Sequence, residues 1–206
     1  PTAASDISSQ DFGTITSAAL RATGGQIPKK ISWGPSSAPR RAPVTTSLRH
    51  ALEMKYWLLK SEPSSYGIDD LARDRVTAWS GVRNYQARNF MRDEMQPGDR
   101  GFFYHSSCEE PGIVGIVEVG KGAYPDPTQF DRKSRYYDPG AARGEPRWFN
   151  VDVKFVKKTR VVGLAELRGH RALKNLQVLQ RGNRLSITPV TPAEWACVMR
   201  LTKDEG

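Results

Sequence analysis

Arg100-Gly101-Phe102-Phe103-Tyr104-His105-Ser106 is followed, just past Pro111, by Gly112-Ile113-Val114-Gly115-Ile116-Val117-Glu118-Val119-Gly120-Lys121. Both stretches read as strands, rich in aromatic and β-branched residues. They succeed one another with no helix between them. In the first, alternation sends Phe103 and His105 one way and Phe102, Tyr104 and Ser106 the other. Pro97-Gly98-Asp99 supplies the turn that leads in.

Outward from this pair the pattern stays irregular. Tyr56–Lys60 reads as a short aromatic and aliphatic strand stopped by Pro63, Ile68–Ala72 as a short helix, and Val76–Trp79 as an extended piece. Asn84 is an N-cap for a helix to about Met95, with Ala87, Phe90, Met91 and Met95 as its apolar stripe. A proline-rich loop runs from Ala123 to about Pro146. Trp148–Thr159 then alternates, with Phe149, Val151, Val153 and Phe155 on one face and Asn150, Asp152 and Lys154 on the other. Leu164–Leu167 and Leu173–Leu179 suggest helical pieces, and Ile187–Val190 a strand. Thr191-Pro192-Ala193-Glu194 starts the last helix: Thr191 caps, Pro192 sits at N1, and Glu194 closes a capping box. Trp195, Val198, Met199 and Leu201 are its expected buried side. Helices interleaved without βαβ regularity argue against a doubly wound parallel sheet. An α+β domain on a curved, mostly antiparallel sheet is expected.

The patterned region occupies residues 54–206. Residues 1–53 are rich in Ser, Thr, Ala, Gly and Pro and contain no tyrosine. They offer too few large apolar groups to offset their chain entropy. A disordered or non-native extension is expected there, because the strand pattern starts abruptly at Met54 as at a chain start. The 206 residues carry a net charge of +9, of which +6 falls after residue 53. A basic surface concentrates polyanions, so nucleic acid is a candidate partner, although many basic proteins have none. No segment reaches the roughly 18 apolar residues of a membrane helix. Two cysteines, Cys108 and Cys197, make neither a disulfide framework nor a four-cysteine zinc site.

The chemistry on offer favours binding over catalysis. G-x-S-x-G, P-loop and G-x-G-x-x-G motifs are absent. His105 and Ser106 are strand neighbours that point to opposite faces, and Glu62 has no partner carboxylate in sequence. Trp79-Ser80-Gly81-Val82-Arg83-Asn84-Tyr85-Gln86-Ala87-Arg88-Asn89 is richer. It joins an aromatic, a Gly turn and a helix start, whose free N–H groups at Tyr85–Ala87 would seat an anion between Arg83 and Arg88. Trp79 either stacks a base or belongs to the core; Asn84 either touches a ligand or only caps. Glu62 ends a strand and could accept from the exocyclic amine of a base. Tyr136-Tyr137-Asp138 is either a lid or a loop anchor.

Lys60-Ser61-Glu62-Pro63, the Trp79–Asn89 stretch, Phe103-Tyr104-His105-Ser106, Tyr124-Pro125-Asp126, Pro146-Arg147-Trp148 and Arg184-Leu185-Ser186 occur in the order seen in the EVE domain family. The resemblance covers residues 54–206. It implies a PUA-like fold, a β-pseudobarrel with peripheral helices, and a pocket for a modified nucleobase such as a modified cytosine. The pocket would draw on Ser61, Glu62, Trp79, Val82, Asn84, Tyr104, His105 and Ser106. Arg83, Tyr85, Gln86 and Arg88 would hold phosphate. Ser80 departs from the family, where an acidic residue is frequent. The expected protein is a non-catalytic, monomeric reader of modified DNA or RNA without metal or cofactor. It would be cytoplasmic in a bacterium and nuclear in a eukaryote. The rivals are an RNA-processing enzyme of the ASCH type, with Glu62 and His105 as acid and base, and a nucleotide sensor.

Overall fold

The computed structural model describes residues 54–203. The expected disorder of residues 1–53 lies outside them. Six strands, β1 (Tyr56–Ser61), β2 (Val76–Ala78), β3 (Arg100–His105), β4 (Gly112–Pro125), β5 (Phe149–Gly163) and β6 (Ile187–Val190), form one mixed sheet in the order β2-β5-β4-β3-β1-β6. All neighbours are antiparallel except β1 and β3, which run parallel with Leu58 opposite Phe102. The sheet is not closed, so β2 and β6 are edges. The helices are α1 (Ile68–Asp74), α2 (Tyr85–Asn89), α3 (Leu164–Gly169) and α4 (Pro192–Leu201). None of the described helices is long and apolar enough to cross a membrane.

The apolar run at Trp57-Leu58-Leu59 does not alternate because both faces of the sheet are covered. Side chains still alternate across it with a period of two. Trp57, Leu59 and Phe103 pack on one face with Ile68, Leu71, Trp79, Val82 and Met91. Leu58, Phe102 and Tyr104 pack on the other with Ile113, Ile116, Leu167, Leu173 and Val198. A register shift between Phe103 and Tyr104 bends β3 near its end. Further shifts recur along the long β4–β5 hairpin.

Several elements differ from their expected form. The helix after Asn84 is α-helical only to Asn89; Phe90–Glu94 is a wider π turn, closed by the Met95 amide donating to the Phe90 carbonyl at 2.9 Å. Ala87, Met91 and Met95 are buried as expected, and Phe90 is half-buried. Leu173–Leu179 resolves into two 3₁₀ turns, Arg171–Leu173 and Gln177–Leu179. β5 continues past Thr159 to Gly163. Asn150, expected on a polar face, is buried. The returning loop covers the start of β5: Gln129 donates to the Trp148 carbonyl and accepts from its amide. In α4 both arms of the capping box form, and Cys197 and Val198 are its most buried apolar residues. Trp195 is half-buried and stacks between Tyr56 and Phe102.

Candidate functional site

β1 ends at Ser61-Glu62 and β2 at Ala78-Trp79, beside one another on the side of the sheet that carries Trp79 and Val82. The loop Ser80–Asn84, residues Arg135 and Tyr136 of the long strap between β4 and β5, and Arg184 and Ser186 ahead of β6 complete a cleft of about 560 Å³ there. That lies within the ~300–1,000 Å³ usual for ligand sites. Trp79 is a wall of it and also core: the residue is 8% exposed, and its ring meets Phe103 edge-on at 5.6 Å.

The loop after β2 is held by one carboxylate. Asp126 is fully buried; its Oδ2 accepts from the Gly81 amide at 3.1 Å and from Arg83 Nη1 at 2.8 Å. Its Oδ1 caps the 3₁₀ turn Pro127–Phe130 by accepting from the Thr128 amide at 2.9 Å. Burial pushes the Asp126 pKa up, but hydrogen bonds from Thr128, Arg83 and Gly81 outweigh it and hold the group below the ordinary carboxylate value. Arg83 also donates to Thr128 Oγ1 at 2.9 Å and to the Tyr136 carbonyl through Nε at 3.0 Å. The strap is therefore tied to the β2 loop through Arg83. Gly81 has a φ of +77°, and the Tyr136 ring lies where its Cβ would be, 2.6 Å from that position.

Of the expected base-pocket residues, the cleft brings together Ser61, Glu62, Trp79, Val82 and Asn84. Tyr104 is not among them. It is 3% exposed in the core on the opposite face of the sheet, as strand alternation requires. His105 also stands elsewhere: its Nε2 accepts from the Ile68 amide at 3.1 Å, at the start of α1. Burial holds its pKa below the ordinary value. Ser106 donates to the Ser61 carbonyl, a bond between strand ends.

At the expected phosphate seat the structure places protein partners on the donors. Asn84 Oδ1 accepts from the Gln86 and Ala87 amides at 2.9 and 3.1 Å, so the protein's own cap occupies those donors. Arg83 lines the cleft, but Asp126, Thr128 and Tyr136 take its guanidinium. Arg88 donates to the Arg147 carbonyl and to Asn89 Oδ1, and lies over the Tyr85 ring at 4.8 Å. Tyr85 and Gln86 are exposed and do not line the cleft.

Sequence reasoning missed Asp126 as the latch and Lys60, Arg135 and Arg184 as cleft residues. Three of these lie in the stretches Lys60–Pro63, Tyr124–Asp126 and Arg184–Ser186, which carried the resemblance without a role for those side chains. Of the two expected alternatives for Tyr136, the structure shows the loop anchor, through its carbonyl held by Arg83, and the residue also lines the cleft.

The EVE domain matches residues 55–201. Thymocyte nuclear protein 1 of Homo sapiens is 42% identical over 189 residues, 82% of this chain and 83% of that protein. A crystal structure of the human protein in complex with 5-methylcytosine-containing DNA superposes with a TM-score of 0.69 at 42% identity, covering 74% of this chain and 99% of that one. A Pseudomonas syringae protein superposes with a TM-score of 0.69 at 48% identity, covering 72% and 99%. With a family match over residues 55–201 and relatives more than 40% identical across most of their length, the chain belongs to the EVE domain family.

Proposed function

We propose that this chain is a non-catalytic DNA-binding domain that takes a modified cytosine, with 5-methylcytosine as the leading candidate, into the cleft beside Trp79. One observation carries the reading. A nucleotide-sized cleft with an aromatic wall and an exposed carboxylate lies in a chain 42% identical to a protein solved with 5-methylcytosine DNA. The base leaves the stack and enters the cleft. Trp79 supplies apolar surface to it. Glu62, whose carboxylate has no hydrogen-bond partner among the described residues, accepts from the exocyclic amine of cytosine. Thymine carries the same methyl group but presents an acceptor where cytosine has the amine, so the same carboxylate disfavours it. His105 supports the non-catalytic reading: its Nε2 is engaged by the start of α1, and it does not line the cleft as Glu62 does. A DNA ligand and the thymocyte nuclear protein relatives support a nuclear location in a eukaryote, and a DNA ligand supports the cytoplasm in a bacterium.

The test is a binding series with the full chain and duplexes that differ at one position. Preference for 5-methylcytosine over cytosine and thymine is the expected result, with the DNA recovered intact. Glu62→Gln should narrow the margin over thymine, because the amide can donate to the thymine carbonyl. Equal affinity for all three duplexes would overturn the proposal.

A further inference from the structure

The cleft holds more positive charge than a base can use. Lys60 comes from the end of β1, Arg135 from the strap and Arg184 from the loop ahead of β6. These three segments are far apart in sequence, yet their cations meet at one opening. None is in an ion pair with a described residue. Lys60 is half-buried, and its ammonium makes one long hydrogen bond, 3.4 Å to the Asn183 carbonyl. Burial lowers its pKa, so it sits in its charged form at a cost that a nearby anion would remove. Arg135 is exposed and lies over the Tyr136 ring at 4.6 Å; Arg184 is also exposed.

Cytosine and its methylated form accept hydrogen bonds at O2 and N3 but carry no charge to balance three cations. Phosphate offers each of them a charge-assisted hydrogen bond. Arg83, the other cleft arginine, is already committed to Asp126 and the strap. We infer that the cleft receives a nucleotide still joined to its strand, with Lys60, Arg135 and Arg184 holding the phosphates that flank the extruded base. This rests on the proposed function for the identity of the base, but the phosphate contacts are a separate claim. It makes the free nucleoside a poor ligand and the strand backbone part of the site.

Two measurements test it. The first is the salt dependence of affinity for one 5-methylcytosine duplex. Each lost phosphate contact lowers the slope of log K against log salt by about 0.9. Arg135→Gln with Arg184→Gln should lower it by about 1.8, and adding Lys60→Gln by roughly 0.9 more. The preference for 5-methylcytosine over cytosine should stay as in the wild type, since these groups do not read the base. Lys174→Gln, an exposed cation that does not line the cleft, should leave the slope nearly unchanged. Thermal melts of each variant show that the fold is retained. The second is competition by 5-methyl-2′-deoxycytidine and by a trinucleotide with the same base at its centre; the trinucleotide should compete at a concentration at least tenfold lower. A wild-type slope in the triple variant, or a nucleoside that competes as well as the trinucleotide, overturns the inference. A wild type without preference for 5-methylcytosine overturns the proposed base instead, and the slopes still decide the phosphate contacts.

Discussion

At the scale of single residues, Gly81 shows how tightly the cleft is built. Its φ of +77° suits glycine, and a Cβ there would stand 2.6 Å from the Tyr136 ring. Gly81→Ala therefore carries backbone strain of about 1–3 kcal/mol and also pushes the strap outward. Denaturant titration should show the stability loss, and binding should weaken beyond it because Tyr136 is a wall of the site. Trp79 behaves differently from a free stacking platform. It is 8% exposed and packed edge-on against Phe103, so Trp79→Ala should cost about 3–5 kcal/mol, as other large core truncations do. Trp79→Phe keeps most of the packing and is the better variant for asking what the indole contributes to the base. The sequence left platform and core as alternatives for this residue. The edge-on contact of its ring with Phe103 shows the core role, between residues far apart in the chain, and the platform role belongs to the proposed function.

At the scale of elements, legibility followed the range of the interactions. The alternation of Phe102 and Phe103, the turn at Pro97-Gly98-Asp99 and the capping box of α4 are local, and local pattern was enough to read them. The parallel pairing of β1 with β3 was not legible, because it joins segments separated by α1, β2 and α2. The anion seat expected at Asn84 has a related limit, since the protein's own cap already holds the helix start. The residue type that marks a helix start also fills it, and sequence does not say whether a ligand competes with the cap. His105 illustrates the same limit. It was assigned to the pocket from its motif, whereas its ring accepts from the first amide of α1. That role has a consequence for pH. Burial, with Lys158 adding to it and Asp69 opposing, keeps His105 neutral in the fold below the ordinary value of 6.5. The unfolded chain takes up the proton first as pH falls. Stability is therefore full above pH 6.5 and declines below it, before the depressed carboxylates Asp126 and Asp138 titrate. Thermal melts from pH 7.5 to 5 should show that decline. His105→Gln, which can still accept from Ile68 through Oε1, should flatten it; an unchanged slope in that variant would remove His105 as the cause.

At the scale of the whole molecule, the sheet carries a core on each face, and its strand ends carry the cleft. The described residues, 54–203, supply the two cores, the Asp126 latch and the strap, and the EVE domain match spans 55–201. We expect a chain beginning at Met54 to keep the melting temperature of the full chain. Charge refines that expectation. Residues 1–53 contribute +3 of the net +9, with no tyrosine and two aromatic residues, Phe12 and Trp33. Diffuse positive charge adds to the attraction of a polyanion without reading its sequence, and salt screens it over about 10 Å at 0.1 M. The shorter chain should bind DNA somewhat more weakly at low salt, and the gap should close as salt rises. The ratio of affinities for 5-methylcytosine and cytosine should be the same in both chains at every salt concentration, because the cleft that sets it is intact. A melting temperature several degrees lower, or a changed ratio, would mean that residues before Met54 complete the core or the site.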